Sequence, residues 1–213
     1  MVVLSVLAHL HWNAHEALGN SYLTMNAIIV SGMPAVGKTT VSKLLGDALG
    51  LKVAGGGDVL KEMAAEEGYT PGGEDWWDTE EGIEFLKKRK RSADFDREVD
   101  ERLLKKAKAG DVVITSYTLP WLSDYGIKIW LSGSVESRAS RMAKRDHTDE
   151  QKCREIIAIR DRENYEIYKK HYRIEFGRDF KPFHLIIDTD DIDERRVAAI
   201  ALDYVKNHGK GSS

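Results

Sequence analysis

Short apolar runs alternate with longer amphipathic segments along this chain. Five runs rich in β-branched side chains are predicted to be strands: residues 28–30, 51–54, 112–115, 127–131 and 184–188. Several of the segments between them carry apolar residues three and four positions apart, the spacing of a helix with one buried face. Strands that alternate with helices predict an α/β fold in which helices cover both faces of a parallel sheet.

The predicted helices cover residues 38–49, 59–67, 79–109, 135–172 and 193–207. The third is expected in two pieces, and the fourth is interrupted near residues 146–149. Asp58 is the expected N-cap of the second helix. The last helix is expected to turn Val197, Ile200, Ala201 and Tyr204 inward. The third and fourth segments are too long for simple crossovers and are interpreted as mobile flaps.

The first strand leads into a glycine-containing loop, GMPAVGKT, from Gly32 to Thr39. The pattern G-x-x-x-x-G-K-[ST] between a strand and a helix predicts a phosphate-binding loop. Its glycines let backbone N–H groups turn toward phosphate oxygens, and the helix start adds the positive end of its dipole. We expect Lys38 to reach the β- and γ-phosphates of ATP and the Thr39 hydroxyl to hold Mg²⁺. The residues expected around the phosphates are Gly32, Pro34, Ala35, Val36, Gly37, Lys38, Thr39 and Thr40.

The composition is that of a globular protein, with 42% hydrophobic and 31% charged residues among 213. This length allows one or at most two domains. The net charge of −3 gives no general attraction to nucleic acid. Cys153 is the only cysteine, so no intrachain disulfide can form, which suits a cytoplasmic protein. No apolar run is long enough for a membrane span.

Residues 1–24 precede a methionine, Met25, that stands just before the first predicted strand. Their apolar start lacks the basic residues of a secretory signal. His9, His11 and His15 lie on one short segment at spacings that do not favour a metal site. We therefore expect one folded domain over residues 25–209, with residues 1–24 as an N-terminal extension.

Several arginines follow the fourth strand. Arg138, Arg141 and Arg145 are three and four positions apart, which places them on one side of a helix, and Arg160 and Arg162 come later. Phosphoryl transfer needs positive charge on the migrating group and exclusion of water. A flap that carries arginines would supply both, so Arg141, Arg145 and Arg162 are catalytic candidates beside Lys38. The alternative is a solvated helix face with ion pairs to neighbouring acids.

From residue 25 to about residue 207, the chain resembles the nucleoside monophosphate kinases, most closely the cytidylate kinases of archaeal type. The matching stretches are residues 31–40, 51–61, 95–102, 127–131, 135–145, 160–163 and 168–172. The resemblance implies a P-loop α/β/α fold with a five-stranded parallel sheet. It also implies a monophosphate-binding segment around residues 58–102 and a lid around residues 144–177. The implied reaction transfers the γ-phosphoryl group of ATP to CMP or dCMP and requires Mg²⁺.

The chain departs from that family on the acceptor side. Similar enzymes have Gly-Arg after the third strand, whereas this chain has Ser116-Tyr117, and Lys61 replaces a common arginine. Because the third strand ends without a carboxylate, Asp58 is a candidate for supporting Mg²⁺ through water, with helix capping as the alternative. Arg97 is the leading replacement for the missing arginine. The residues expected to bind the acceptor are Asp58, Lys61, Arg97, Ser116 and Arg160.

Two further features have open interpretations. Trp76 and Trp77 could stack on an acceptor base or could anchor their segment to the core. The basic run at residues 87–91 could be a solvated helix face or could attract anionic substrates.

Two other functions remain open at this point. The first is a kinase for another small acceptor, such as shikimate, gluconate or dephospho-coenzyme A. The second is a nucleotide-binding assembly factor with weak ATPase activity, which the missing arginine and carboxylate would suit. A monomer that acts on small nucleotides, without nucleic acid or membrane partners, is the expectation.

Overall fold

A five-stranded parallel sheet forms the centre of the chain. The computed structural model describes residues 26–72, 76, 80–89 and 94–208. The strands are β1 (Ile28–Gly32), β2 (Lys52–Gly55), β3 (Val112–Thr115), β4 (Ile127–Ser132) and β5 (Leu185–Asp188), in the spatial order β2-β3-β1-β4-β5. All four strand pairs are parallel, and Ile28 of β1 lies between Val113 and Ile127. The predicted parallel sheet is confirmed.

Eight helices occur in the described ranges. They are α1 (Lys38–Leu49), α2 (Gly56–Glu66), α3 (Glu80–Arg89), α4 (Asp94–Ala109), α5 (Leu119–Leu122), α6 (Val135–Asp146), α7 (Glu150–Tyr172) and α8 (Glu194–His208). The long segment after β4 breaks where expected. His147 adopts a positive φ of 51°, and Asp149 starts α7 by accepting a hydrogen bond from the Lys152 N–H at 2.9 Å. Helix α5 is not predicted from the sequence, because its four residues are too few to show a helical period.

Two local predictions are wrong. Helix α2 begins at Gly56, so Asp58 is its third residue and not its N-cap. Its carboxylate nevertheless caps the helix, because it accepts a hydrogen bond from the Gly55 N–H at 2.8 Å. In α8, Ile200 is 39% exposed, whereas Val205 is fully buried. The inward face of α8 therefore includes Val205 in place of Ile200.

Helices cover both faces of the sheet, and alternate residues of β1 enter different cores. Ile29 packs with Val59, Phe85 and Leu103 under α2, α3 and α4. Ile28 and Val30 belong to the opposite core, which α1 and α8 cover, with Leu45, Ile129, Val197 and Val205 among its members. This two-residue alternation is the expected consequence of strand geometry.

A third cluster lies at the carboxyl end of the sheet. Its buried members are Trp130, Ile174 and Phe176, and Met33, Tyr117, Trp121, Tyr168, Tyr172 and Phe183 pack against them. We call these nine residues the aromatic cluster. Because it joins residues from β4, α5 and α7, it fixes the end of α7 against β4, which lies beside the strand that carries the phosphate loop.

Trp76 anchors its segment to the core, which is one of the two roles considered for it. It is 4% exposed, and its ring centroid lies 6.0 Å from that of Phe85 and 6.5 Å from that of Tyr69. Trp77, the N-terminal extension and residues 90–91 of the basic run lie outside the described residues. None of the helices in the described ranges is both long and apolar enough to cross a lipid bilayer.

Candidate active site

The phosphate loop leaves the carboxyl end of β1, where ligands of open α/β sheets bind. Gly32 has a φ of 152°, and a Cβ there would stand 2.5 Å from the Leu131 carbonyl oxygen. Ala35 (φ 62°) and Gly37 (φ 100°) also have positive φ, and Gly37 is the N-cap of α1. These conformations curl the loop around the start of α1. The local structure predicted from the sequence is therefore present.

Lys38 points back across this loop. Its ammonium donates hydrogen bonds to the carbonyl oxygens of Gly32 and Met33, both at 2.8 Å. Burial lowers the pKa of Lys38 to about 7, and the positive charges of Arg160 and Arg138 contribute to the decrease. An anionic phosphate beside the ammonium would favour its charged form. Lys38 is thus held where a phosphate bound in the loop would meet it.

Thr39 and Thr40 follow in the first turn of α1, and both are exposed. The first backbone N–H groups of an α-helix have no partners within the helix, so those of this turn can bind a phosphate. Within the part of the chain that the structure describes, no group of three or more His, Cys, Asp or Glu side chains could hold a metal ion. A cation here would take most of its ligands from phosphates and water.

Arg138 is the arginine of α6 that reaches the phosphate loop. It is 3% exposed and donates to the Pro34 carbonyl oxygen at 3.2 Å. It also donates two hydrogen bonds to Asp161 of α7, at 3.0 and 2.7 Å. Arg138 therefore ties the loop to both flap helices. It belongs to the arginine series predicted from helical spacing, but that spacing does not distinguish it from Arg141 and Arg145 as the residue that reaches the loop.

Arg160 of α7 lies near the same point. Its positive charge adds to the effect of burial in lowering the pKa of Lys38, and it limits the rise that burial causes in the pKa of Tyr117. Arg160 and Arg162 are both exposed. Two helical positions correspond to about 200° of rotation, so the Arg162 side chain leaves α7 on the side opposite Arg160. Of these two arginines, the structure brings Arg160 to Lys38.

The two remaining arginine candidates have partners elsewhere. Arg141 donates to the Thr189 hydroxyl at 3.0 Å and to the Thr189 carbonyl oxygen, after β5. It lines a groove of about 610 Å³ together with Ser137 and Asp190. Arg145 is exposed and forms an ion pair with Asp146 at 2.6 Å. A catalytic role for either arginine would require it to exchange these partners, and it stays a prediction.

The groove beside Arg141 is next to the phosphate loop. A Cβ at Gly133 would lie 3.1 Å from the Thr189 hydroxyl and 3.3 Å from Val36 of the loop. Asp190 accepts a hydrogen bond from the Ser134 N–H at 2.8 Å, which lowers the pKa of its carboxyl. A nucleotide with its phosphates in the loop could extend into this groove.

On the other side of the loop, Ser116 follows β3 and is 9% exposed. Its hydroxyl accepts hydrogen bonds from the N–H groups of Thr118 and Leu119, at 3.2 and 3.1 Å. Asp58 follows β2 in a similar place, because Gly55 and Thr115, which end the two strands, are register partners. The two acceptor candidates thus come from adjacent strand ends, and each already stabilises a helix start.

Asp100 forms a buried connection between segments predicted to be separate flaps. Its carboxylate accepts hydrogen bonds from the Thr118 hydroxyl and the Tyr172 hydroxyl, both at 2.6 Å. Burial raises the pKa of Asp100. This network ties α4 to α5 and to the end of α7.

The other acceptor candidates lie on the surfaces of α2 and α4. Lys61 is partly buried on α2, and Arg97 is exposed on α4. Arg97 lines a groove of about 640 Å³ with Glu62, Glu66 and Arg102. Arg97 is also near enough to Tyr172 to influence its pKa. Their roles in acceptor binding stay predictions.

The fold and the loop define the class of this protein, a P-loop α/β protein of the kinase type. The sequence model of the cytidylate kinase-like family matches residues 27–191. The cytidylate kinase of Pyrobaculum aerophilum is 34% identical over 84% of this chain and 92% of its own length. That of Pyrococcus horikoshii is 33% identical over 87% of this chain and 93% of its own length.

Among solved structures, shikimate kinase from Acinetobacter baumannii, in complex with shikimate, has a similar fold. Its TM-score is 0.53, with 19% identity over 87% of this chain and 96% of that chain. This chain belongs to the cytidylate kinase-like family, which confirms the resemblance seen in the sequence. It is a kinase.

Proposed function

We propose that the protein transfers the γ-phosphoryl group of ATP to CMP or dCMP, giving ADP and CDP or dCDP. The observation that carries the proposal is the convergence of Lys38, Arg138 and Arg160 at a complete phosphate loop. A kinase must place positive charge where the transferred group develops negative charge. The names of the archaeal relatives supply the acceptor, since each is a cytidylate kinase.

On the donor side, the loop from Gly32 to Thr40 holds the β- and γ-phosphates, and Lys38 neutralises the transferred group. Arg160 approaches from α7 and adds a second cation. The groove beside Arg141 receives the nucleoside of ATP. Arg145 and Arg162 reach the phosphates only if α6 and α7 move, which makes them the lid residues of this proposal.

Mg²⁺ fits this site as an ion delivered with ATP. The exposed Thr39 hydroxyl at the start of α1 is a suitable oxygen ligand, and Mg²⁺ in kinases takes its other ligands from phosphates, water and one or two carboxylates. One Asp58 oxygen is used by Gly55, which leaves the other available to a water ligand. When bound, the ion neutralises charge on the β- and γ-phosphates.

The acceptor occupies the cleft between the ends of β2 and β3 and helices α2 and α4. Asp58 and Ser116 follow the adjacent strands β2 and β3, whose last residues are register partners, and we assign both side chains to the floor of this cleft. Lys61 and Arg97 supply positive charge for the acceptor phosphate. Arg160 of α7, whose charge reaches Lys38 and Tyr117, is assigned to the acceptor phosphate, which would then stand opposite Lys38.

An acceptor screen tests the proposal. Purified protein with ATP and Mg²⁺ is given CMP, dCMP, UMP, AMP, shikimate or gluconate, and ADP release is measured. CMP or dCMP is expected to give the fastest turnover, and Lys38→Ala is expected to abolish it. Faster turnover with an alcohol would favour a kinase for another acceptor. ADP release that no acceptor stimulates would favour an assembly factor with weak ATPase activity.

A further inference from the structure

The ring of Tyr117 lies on the ammonium of Lys38. The distance from Nζ to the ring centroid is 4.5 Å. An ammonium has three protons, and two of them are directed to the carbonyl oxygens of Gly32 and Met33. The negative face of an aromatic ring attracts a cation at this distance. Lys38 is therefore held from two directions, by the loop carbonyls and by the ring.

The ring itself is held firmly. Its centroid lies 5.6 Å from that of Phe176 in an edge-to-face contact and 6.1 Å from that of Tyr168 on α7. The buried Ser31 hydroxyl of β1 donates to the Tyr117 carbonyl oxygen at 3.4 Å. Since neighbours from β1 and α7 surround Tyr117, its ring has little freedom to leave Lys38.

Tyr117 also interacts with Arg160. Burial raises the pKa of the Tyr117 phenol, and the adjacent Arg160 guanidinium limits that rise. Two cations that approach the same phosphate repel each other when no phosphate is present. An aromatic ring in contact with one and a phenol oxygen near the other offset part of this repulsion.

We propose that Tyr117 is a positioning residue for phosphoryl transfer, which holds the Lys38 ammonium on the loop and sets Arg160 opposite it. This inference rests on the proposed phosphotransfer at the loop. Tyr117 need not touch the acceptor in this role. It acts through the two cations, so its loss changes the chemical step more than the binding of either substrate.

The test compares Tyr117→Leu, which removes the ring, with Tyr117→Phe, which keeps the ring and removes the phenol. Phe183→Leu is the matched control, because Phe183 packs on Trp121 and Trp130 in the same aromatic cluster. For each protein we measure kcat, both KM values, the calorimetric affinity for Mg·ATP, and Tm.

For Tyr117→Leu, kcat is expected to fall roughly 30-fold, while both KM values and the Mg·ATP affinity change less than about 3-fold. Tyr117→Phe should lose about 3-fold in kcat, because the ring still holds Lys38. Phe183→Leu should lower Tm as Tyr117→Leu does and keep its kcat. A Tyr117→Leu enzyme with undiminished kcat, or a kcat loss equal to that of Phe183→Leu, would overturn the proposal.

The same variants separate this proposal from the proposed function. If wild-type protein phosphorylates no nucleoside monophosphate, the acceptor assignment fails. Tyr117 is then tested by single-turnover transfer from ATP to water. The rate constant is expected to be highest for wild type, lower for Tyr117→Phe and lowest for Tyr117→Leu. Equal rates for the three proteins would refute the positioning role whatever the acceptor.

Discussion

Arg138 and Asp161 form a two-pronged ion pair beneath the phosphate loop, with N···O distances of 3.0 and 2.7 Å. The Arg138 side chain is 4% exposed and that of Asp161 is 20% exposed. Since Arg138 also donates to the Pro34 carbonyl oxygen, the pair connects the loop to α6 and α7. Its geometry fixes where α7, and with it Arg160, stands relative to Lys38.

Asp161→Asn should destabilise the protein by about 2–4 kcal/mol, because it leaves a buried guanidinium without its counter-charge. Chemical denaturation measures the free energy of unfolding. Asp146→Asn is the matched control, since it removes the partner of the exposed Arg145 and should cost less than about 1 kcal/mol. Equal losses in the free energy of unfolding for the two variants would show that the buried ion pair stabilises the protein no more than the exposed one.

Binding of ATP should take up protons above neutral pH. The pKa of Lys38 is lowered to about 7 in the free protein, so at pH 8 its amine is mostly neutral. Bound phosphates favour the charged ammonium, so Lys38 is expected to take up as much as about one proton when ATP binds at pH 8. Well below pH 7 Lys38 is already protonated in the free protein, so its proton uptake on binding vanishes. Titration calorimetry in buffers of different ionisation enthalpy measures this uptake.

Lys38→Arg provides the control for that experiment. Arginine keeps its charge throughout this pH range, so its variant should lose the part of the uptake that Lys38 contributes. Proton uptake at pH 8 that is the same in wild type and Lys38→Arg would contradict a lowered pKa at Lys38.

Gly32→Ala should disrupt the loop and abolish ATP binding. Its Cβ would stand 2.5 Å from the Leu131 carbonyl oxygen, and its φ of 152° disfavours an L-residue. We expect a loss of about 2–3 kcal/mol in stability. Gly57→Ala in α2 is the control, because its Cβ meets nothing within 4 Å, and it should leave stability equal or higher by up to about 1 kcal/mol. Unchanged ATP affinity in Gly32→Ala would count against this view of the loop.

Tyr172→Phe should destabilise the protein by about 1–2 kcal/mol, because it removes a hydrogen bond to the buried Asp100 carboxylate. Urea denaturation compares it with Tyr204→Phe, whose ring stacks on His208 at the other end of the fold. The control should change stability by less than about 0.5 kcal/mol. If the two variants are indistinguishable, the Asp100 network does not hold α4 and α7 together.

The sequence is most informative about the fold where periodicity is strong. The strands around Ile28 and Ile129 are predicted because apolar β-branched residues cluster between polar segments. The break at His147 is predicted because polar residues interrupt a helical pattern. Ile200 shows the limit of prediction from periodicity. Residues 197, 201 and 205 form the buried stripe of α8, and tertiary contacts decide whether an apolar residue at the edge of that stripe, such as Ile200, is buried.

For the site, the sequence identifies the residues whose spacing determines their geometry. The eight residues from Gly32 to Thr39 form one local turn, in which the Lys38 ammonium donates to two carbonyl oxygens of the loop; its contact with the phosphates stays a prediction. Helical spacing puts Arg138, Arg141 and Arg145 on one side of α6, but the distance of each turn from the loop depends on packing. The contact between Tyr117 and Lys38 joins two distant segments, and no sequence spacing indicates it.

The central claim is transfer of the γ-phosphoryl group from ATP to CMP. The most direct measurement follows γ-labelled ATP, with Mg²⁺ and CMP, by chromatographic separation of the products. The label is expected in CDP, in an amount equal to the ADP formed, and it should be absent from CDP with Lys38→Ala. Label that appears only as inorganic phosphate, at the same rate with and without CMP, would contradict the claim.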